Sequence, residues 1–260
     1  MQKTSSPLGK WFQNVMPPFP KTLAWCHTTD AWSLRDMIKD QKISPRRCEV
    51  FNEDLSFFFY GRPAFRRGAN EIAGLNAAAP VVIILHPDLI DDGVRLHPFD
   101  TGAFATQRYS EWMHSQMSIS DFELACDIQI PPKHVSAFFR TNKAYLDLVC
   151  NGVSIPYCGE FEVESIVSLL SAQSTATADD RRLAMELQIA KSIVFDSSSI
   201  LGLIIPDEIR QANWFDVFIR GPGAGIELLD YQFSKQRQAI QYQTTLEKIA
   251  ADLQKTRGLL

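Results

Sequence analysis

The sequence predicts an α+β domain. Short apolar segments fall in two clusters, one between residues 55 and 85 and one between 183 and 205, helical patterns lie between them, and an amphipathic helix closes the chain. The expected architecture is therefore two small antiparallel-type β clusters with flanking helices. It divides into an extended arm over 1–22, an α+β domain over 23–233 and a C-terminal helix over 234–260.

Pro7, Pro17, Pro18 and Pro20 with Ser5 and Ser6 make the first 22 residues an extended arm. Leu23 to Cys26 is a short apolar stretch, after which Thr29 or Asp30 caps a helix carrying Leu34, Met37 and Ile38 at helical spacing. The aromatic run Leu55 to Tyr60, ended by Gly61 and Pro63, reads as a strand. Pro80 to Leu85 reads as a buried central one. Helices are expected near Ser110 to Met117, over Ser136 to Val149 and over Glu160 to Ala172, and the polar stretch Ser171 to Asp180 is a loop. Leu183 to Ile189, Ser192 to Phe195 and Ile200 to Ile205 are close enough to form a β meander. Residues 234–257 carry Leu246, Ile249, Ala250 and Leu253 on one helical face.

Composition narrows the class. The chain has 260 residues, 45% of them hydrophobic and 22% charged, which excludes a wholly disordered or low-complexity protein. A net charge of −4 argues against coating nucleic acid by bulk charge and leaves a local basic groove open. Five cysteines without a CxxC pair offer neither a disulfide framework nor a structural zinc site. No apolar leader core stands at the start, and the longest apolar run, Ala77 to Leu85, is too short to span a bilayer. A cytoplasmic protein without metal or membrane partner is expected.

Four constellations could carry chemistry. His27-Thr28-Thr29 stands between a strand and a helix, where His27 either meets a ligand hydroxyl or satisfies local backbone. Phe57-Phe58-Phe59-Tyr60-Gly61-Arg62-Pro63-Ala64-Phe65-Arg66-Arg67 could stack a heterocycle and pair a pyrophosphate, or simply be a core strand ending in a turn. In Arg181-Arg182-Leu183-Ala184-Met185-Glu186-Leu187-Gln188-Ile189, period-two alternation separates Glu186 from the apolar face. A mid-strand carboxylate needs partners, a task or solvent. Phe99-Asp100-Thr101-Gly102-Ala103 matches the short string of aspartic proteases, but Pro98 before it favours a tight turn with an Asp side-chain bond to backbone. There is no P-loop, GxGxxG, HExxH or GxSxG, and Gly221-Pro222-Gly223-Ala224-Gly225 reads as a turn.

Taken in order, the first three segments resemble the ADP-ribosyltransferase superfamily, closest to DarT-type nucleic-acid ADP-ribosyltransferases. They span residues 23–205, with long stretches between them that match nothing. The resemblance implies an ADP-ribosyltransferase-like core that cleaves the nicotinamide–ribose bond of NAD and passes ADP-ribose to a nucleic acid, in defence or toxin biology. It implies Glu186 as the catalytic carboxylate, stabilising positive charge on the sugar. His27 and Thr28 would orient the NAD ribose, Tyr60 would stack on nicotinamide, and Arg62 or Arg66 would pair with the pyrophosphate. The loop Ser171 to Asp180 would read the acceptor, helped by arginines 46, 47, 62, 66 and 67. Ala184 stands where arginine-modifying members carry Glu or Gln, which disfavours a protein-arginine acceptor. Plain NAD hydrolysis or 2′-phosphate transfer from RNA would use the same pocket. A shared pocket requires His27, Tyr60 and Glu186 within about 10 Å of one another. The competing class is a non-enzymatic recognition module that docks a partner, or a second copy, through residues 234–257.

Overall fold

In the computed structural model, which describes residues 6–64, 75–150, 160–172 and 180–260, the described elements form a mixed α+β fold. The strands are β1 (Trp25–Asp30), β2 (Lys42–Ile43), β3 (Arg46–Cys48), β4 (Glu53–Tyr60), β5 (Pro80–Leu85), β6 (Arg95–His97), β7 (Glu186–Ile189), β8 (Ile193–Val194), β9 (Ile200–Pro206) and β10 (Glu227–Tyr231). The helices are α1 (Pro7–Phe12), α2 (Ala31–Asp40), α3 (Thr101–Ala105), α4 (Ile130–Phe138), α5 (Asn142–Leu146), α6 (Phe161–Ser171), α7 (Asn213–Arg220) and α8 (Gln243–Thr256).

Most strands of the two β clusters merge into one sheet, in the order β10-β9-β5-β1-β4-β7-β6, with β3 on the first residues of β4, while β2 and β8 form a separate two-stranded sheet. All pairs are antiparallel except β9 with β10. The expected meander is replaced by interleaving: β7 pairs with β4 and β6, β8 with β2, and β9 with β5 and β10. Local hairpins do not suffice because β5 is fully buried and needs a hydrogen-bonded neighbour on each side, β1 and β9.

Several elements follow directly from local chemistry. Asp30 Oδ1 accepts from Ser33 N–H at 2.7 Å and caps α2, whose Leu34 enters the core. The segment expected to be extended contains α1, capped by Ser6 and anchored by fully buried Leu8 and Phe12. The helix expected over 136–149 is divided into α4 and α5 around Arg140, which takes a left-handed φ of 70°. No helix forms over 110–117, where the chain runs in turns, and the neighbouring helix is α3. Helix α8 packs on β9 and β10 through Leu246, Ala250 and Leu253, and a Cβ on Gly202 would come within 2.7 Å of Leu253. Its apolar stripe is therefore used inside the chain, which leaves the polar side of α8 for any partner.

Candidate functional site

Strand register decides which residues share a face. Directly opposed residues of antiparallel neighbours point the same way, and successive residues alternate. Glu186 opposes Phe59 on one side and His97 on the other, and Phe59 opposes Cys26. Gln188 opposes Phe57 and Arg95 in the next row. Continuing the β1–β4 register, Thr28 joins this face. The other face carries Trp25 against Tyr60, followed by His27 beside Phe58, whose ring lies 5.3 Å away.

The expected convergence therefore fails for two residues. His27 lies on the opposite face from Glu186, half-buried, its Nδ1 2.9 Å from the Phe57 carbonyl. Burial, reinforced by Arg46, holds its pKa below the ordinary histidine value. Tyr60 is fully buried: its ring packs edge-on against Trp25, and its hydroxyl accepts from Leu23 N–H at 2.8 Å. It is enclosed by the core and cannot stack on a ligand. Arg62 is buried too, paired with Glu247 of α8 at 2.6 Å, so the turn after β4 is tied to the C-terminal helix. Gly61, at φ +70°, turns the chain against Leu23 and Tyr145 side chains, and Gln254 of α8 donates to its carbonyl at 2.7 Å. Arg66 lies outside the described residues, as does most of the 171–180 loop. Thr28 is on the Glu186 face, and its Oγ1 is buried without a hydrogen-bond partner among the described residues.

What assembles around Glu186 is a different set. A cleft of about 500 Å³ is lined by Phe57 and Phe59 of β4, Glu186, Asp100 and Thr101, Arg181, Arg47 and Cys48 of β3, and Glu49 and Val50 of the turn that follows it. Glu186 is only 2% exposed, yet richly partnered. The Thr101 hydroxyl donates to its Oε1 at 2.6 Å, Gln188 Nε2 donates to the same oxygen at 2.8 Å, and Thr101 N–H reaches Oε2 at 3.3 Å. Gln188 Nε2 also lies 3.1 Å from the Thr101 hydroxyl oxygen, which closes a three-sided network.

Charge shapes this network. Asp100 is ion-paired with buried Arg181, and its Oδ1 accepts from Ala103 N–H at 3.0 Å, capping α3. This ion pair and Glu186 line the same cleft. Burial, then repulsion by Asp100, pushes the Glu186 pKa up to about 8, against the opposing pull of its donors. Arg182 turns the other way and donates to the Leu169 and Ala172 carbonyls at the end of α6.

The sequence singled out Glu186 but read Asp100 and Thr101 as a turn and left Gln188 without a role. Asp100 does cap a turn, and the same turn delivers Thr101 to the carboxylate. The missing signal is long-range: 85 positions separate Thr101 from Glu186. Among the described residues, no cluster of three or more His, Cys, Asp or Glu side chains is placed to hold a metal. No described helix is long and apolar enough to cross a membrane. A larger cavity of about 730 Å³ lies between α2 and α7, lined by Ile38, Trp214, Val217 and Phe218, but its charged residues, such as Asp36 and Lys39, are exposed. Compared with protein-family models, with curated proteins and with solved structures, the chain matches none.

Proposed function

We propose that the chain is an ADP-ribosyltransferase-like enzyme that cleaves the nicotinamide–ribose bond of NAD and transfers ADP-ribose to a nucleic-acid acceptor, with Glu186 as its catalytic carboxylate. The observation that carries this reading is a buried, hydrogen-bonded carboxyl opening on an aromatic-walled cleft. It is supported by strand order, because the three segments of the resemblance lie on adjacent strands, β1, β4 and β7.

The chemistry follows from what departs. Loss of nicotinamide leaves positive charge on the ribose, and an anionic carboxylate beside it stabilises the transition state. Burial and Asp100 let Glu186 hold its proton up to about pH 8. A cationic nicotinamide favours the ionised form, so NAD binding itself lowers that threshold. The ligand roles shift from Tyr60 to Phe57 and Phe59 for stacking, and from Arg62 to exposed Arg47 for phosphate. Arg46 and Arg47 would also meet a nucleic-acid backbone.

The test is nicotinamide release from NAD, with and without DNA or RNA, by the wild type and Glu186→Gln. Release should rise with pH toward about 8 and fall by roughly 10²- to 10⁴-fold in the variant. Stimulation by one polymer identifies the acceptor class. Release that survives Glu186→Gln removes the carboxylate from the mechanism. The second reading, a recognition module, draws on the separation of His27 and Tyr60 from Glu186 and on the exposed Trp32 and Val217 flanking the α2–α7 cavity. No release and no NAD-induced thermal shift would favour it.

A further inference from the structure

We propose that the Asp100–Thr101 turn is the positioning element of the catalytic carboxylate: Thr101 and Gln188 hold one oxygen of Glu186 in place, and the Asp100–Arg181 pair fixes Thr101 and sets the charge beside which Glu186 works. This rests on Glu186 being the reactive group of the cleft. The two oxygens of Glu186 are unequally held. Oε1 takes two side-chain donors, at 2.6 and 2.8 Å, whereas Oε2 has a single backbone contact at 3.3 Å. Pinning one oxygen fixes the carboxyl plane and leaves the other as the freer oxygen for a ligand.

Thr101 can do this because two fixed features place it. Asp100 caps α3 through one oxygen and holds Arg181 through the other, so the residue after it has little freedom. Asp100, Thr101, Arg181 and Gln188 are all buried, at 7% exposure or less. A buried polar network of this kind is rigid when its members are partnered.

Glu186 has further neighbours across the sheet and the cleft. His97 is its cross-strand neighbour on β6, and Arg95 on the same strand is paired with Glu53. Arg47 and Glu49 stand in the far wall, and β4 presents only Phe57 and Phe59. Asp100 is the nearby carboxylate that pushes Glu186 toward its protonated form.

The experiment is a ¹³C NMR titration of protein labelled at glutamate side-chain carboxyls, with the Glu186 signal assigned by its loss in Glu186→Gln. Asp100→Asn keeps the α3 cap and should lower the Glu186 midpoint by about one pH unit or more, by removing the repulsion. Thr101→Val should raise it by roughly half a unit to one unit, and Thr101→Ser should restore it. The pH profile of kcat for nicotinamide release should move in the same directions, with little change in KM. Circular dichroism checks folding, and if Thr101→Val does not fold, Asp100→Asn still decides. A Glu186 midpoint unmoved in Asp100→Asn, or a Thr101→Val midpoint equal to wild type, overturns the positioning role. The NMR arm needs no turnover, so it is separable from failure of the NAD reading, which Glu186→Gln kinetics alone would reveal.

Discussion

Glu186 and His134 are both ionisable and both buried in the same chain, and they differ in what surrounds them. Glu186 borders a cleft and accepts from Thr101 and Gln188. His134, on α4, is fully buried among aromatic rings, with Phe138 at 5.0 Å, Phe139 at 5.9 Å and Phe12 of α1 at 6.1 Å. Neither of its ring nitrogens has a hydrogen-bond partner among the described residues. Burial moves both toward the neutral form, Glu186 up to about 8 and His134 down to about 3. The shift alone therefore does not mark a site. Access to a cleft and a set of directed donors separate a working group from one that is merely packed.

The sharpest way to break this comparison is through the pH dependence of stability. Glu186 has a raised folded pKa, so the folded state binds more protons than the unfolded one between about 4.5 and about 8. Its contribution is fully present in acid and is lost as the pH rises through that window. Glu186→Gln should remove this slope, and the stability of wild type relative to the variant should fall by an amount on the order of 4 kcal/mol between pH 4 and 8.5. Urea melts across that range measure it. Parallel wild-type and variant curves would mean that Glu186 is ionised and solvated in the folded protein.

The next effect runs the other way. His134 has a depressed folded pKa, so the unfolded state binds more protons as the pH falls from about 6.5 toward about 3. Stability should be lost over that acid window, by about 2 kcal/mol at pH 5. His134→Phe should abolish that loss while staying within about 1.5 kcal/mol of wild type at neutral pH, since the box is already aromatic. An unchanged acid slope in His134→Phe would mean that His134 titrates alike in the folded and unfolded states, so that burial does not hold it neutral.

Much of the fold is written locally. Pro80 to Leu85 is an unbroken apolar run and forms a strand over those residues, and Asp30 before a Leu34-bearing turn forms a capped helix. The pairings are not local: β4 meets β7 with Phe59 against Glu186, 127 positions apart, and nothing near either strand names the other. The site is legible to the same degree. A carboxylate in a four-residue strand stands out, whereas its donors come from a distant turn. The face each residue takes depends on one step of register, so His27 and Thr28, adjacent in sequence, fall on opposite sides of the sheet.

Tyr60 gives the smallest and most selective test of that last point. Its hydroxyl accepts from Leu23 N–H at 2.8 Å, and its own carbonyl accepts from the Tyr145 hydroxyl at 2.9 Å, so it joins the segment leading into β1, the end of β4 and α5. Tyr60→Phe keeps the ring against Trp25 and leaves one buried N–H without its acceptor, which costs about 1–3 kcal/mol. If Tyr60 belongs to the packed face, the melting temperature should fall while KM for NAD stays at the wild-type value. Phe59, on the cleft face and 9% exposed, should behave in the reverse way: Phe59→Leu should raise KM several-fold with a smaller loss of stability. A KM change at Tyr60 without one at Phe59 would exchange the roles of the two faces, and with them the assignment of the cleft.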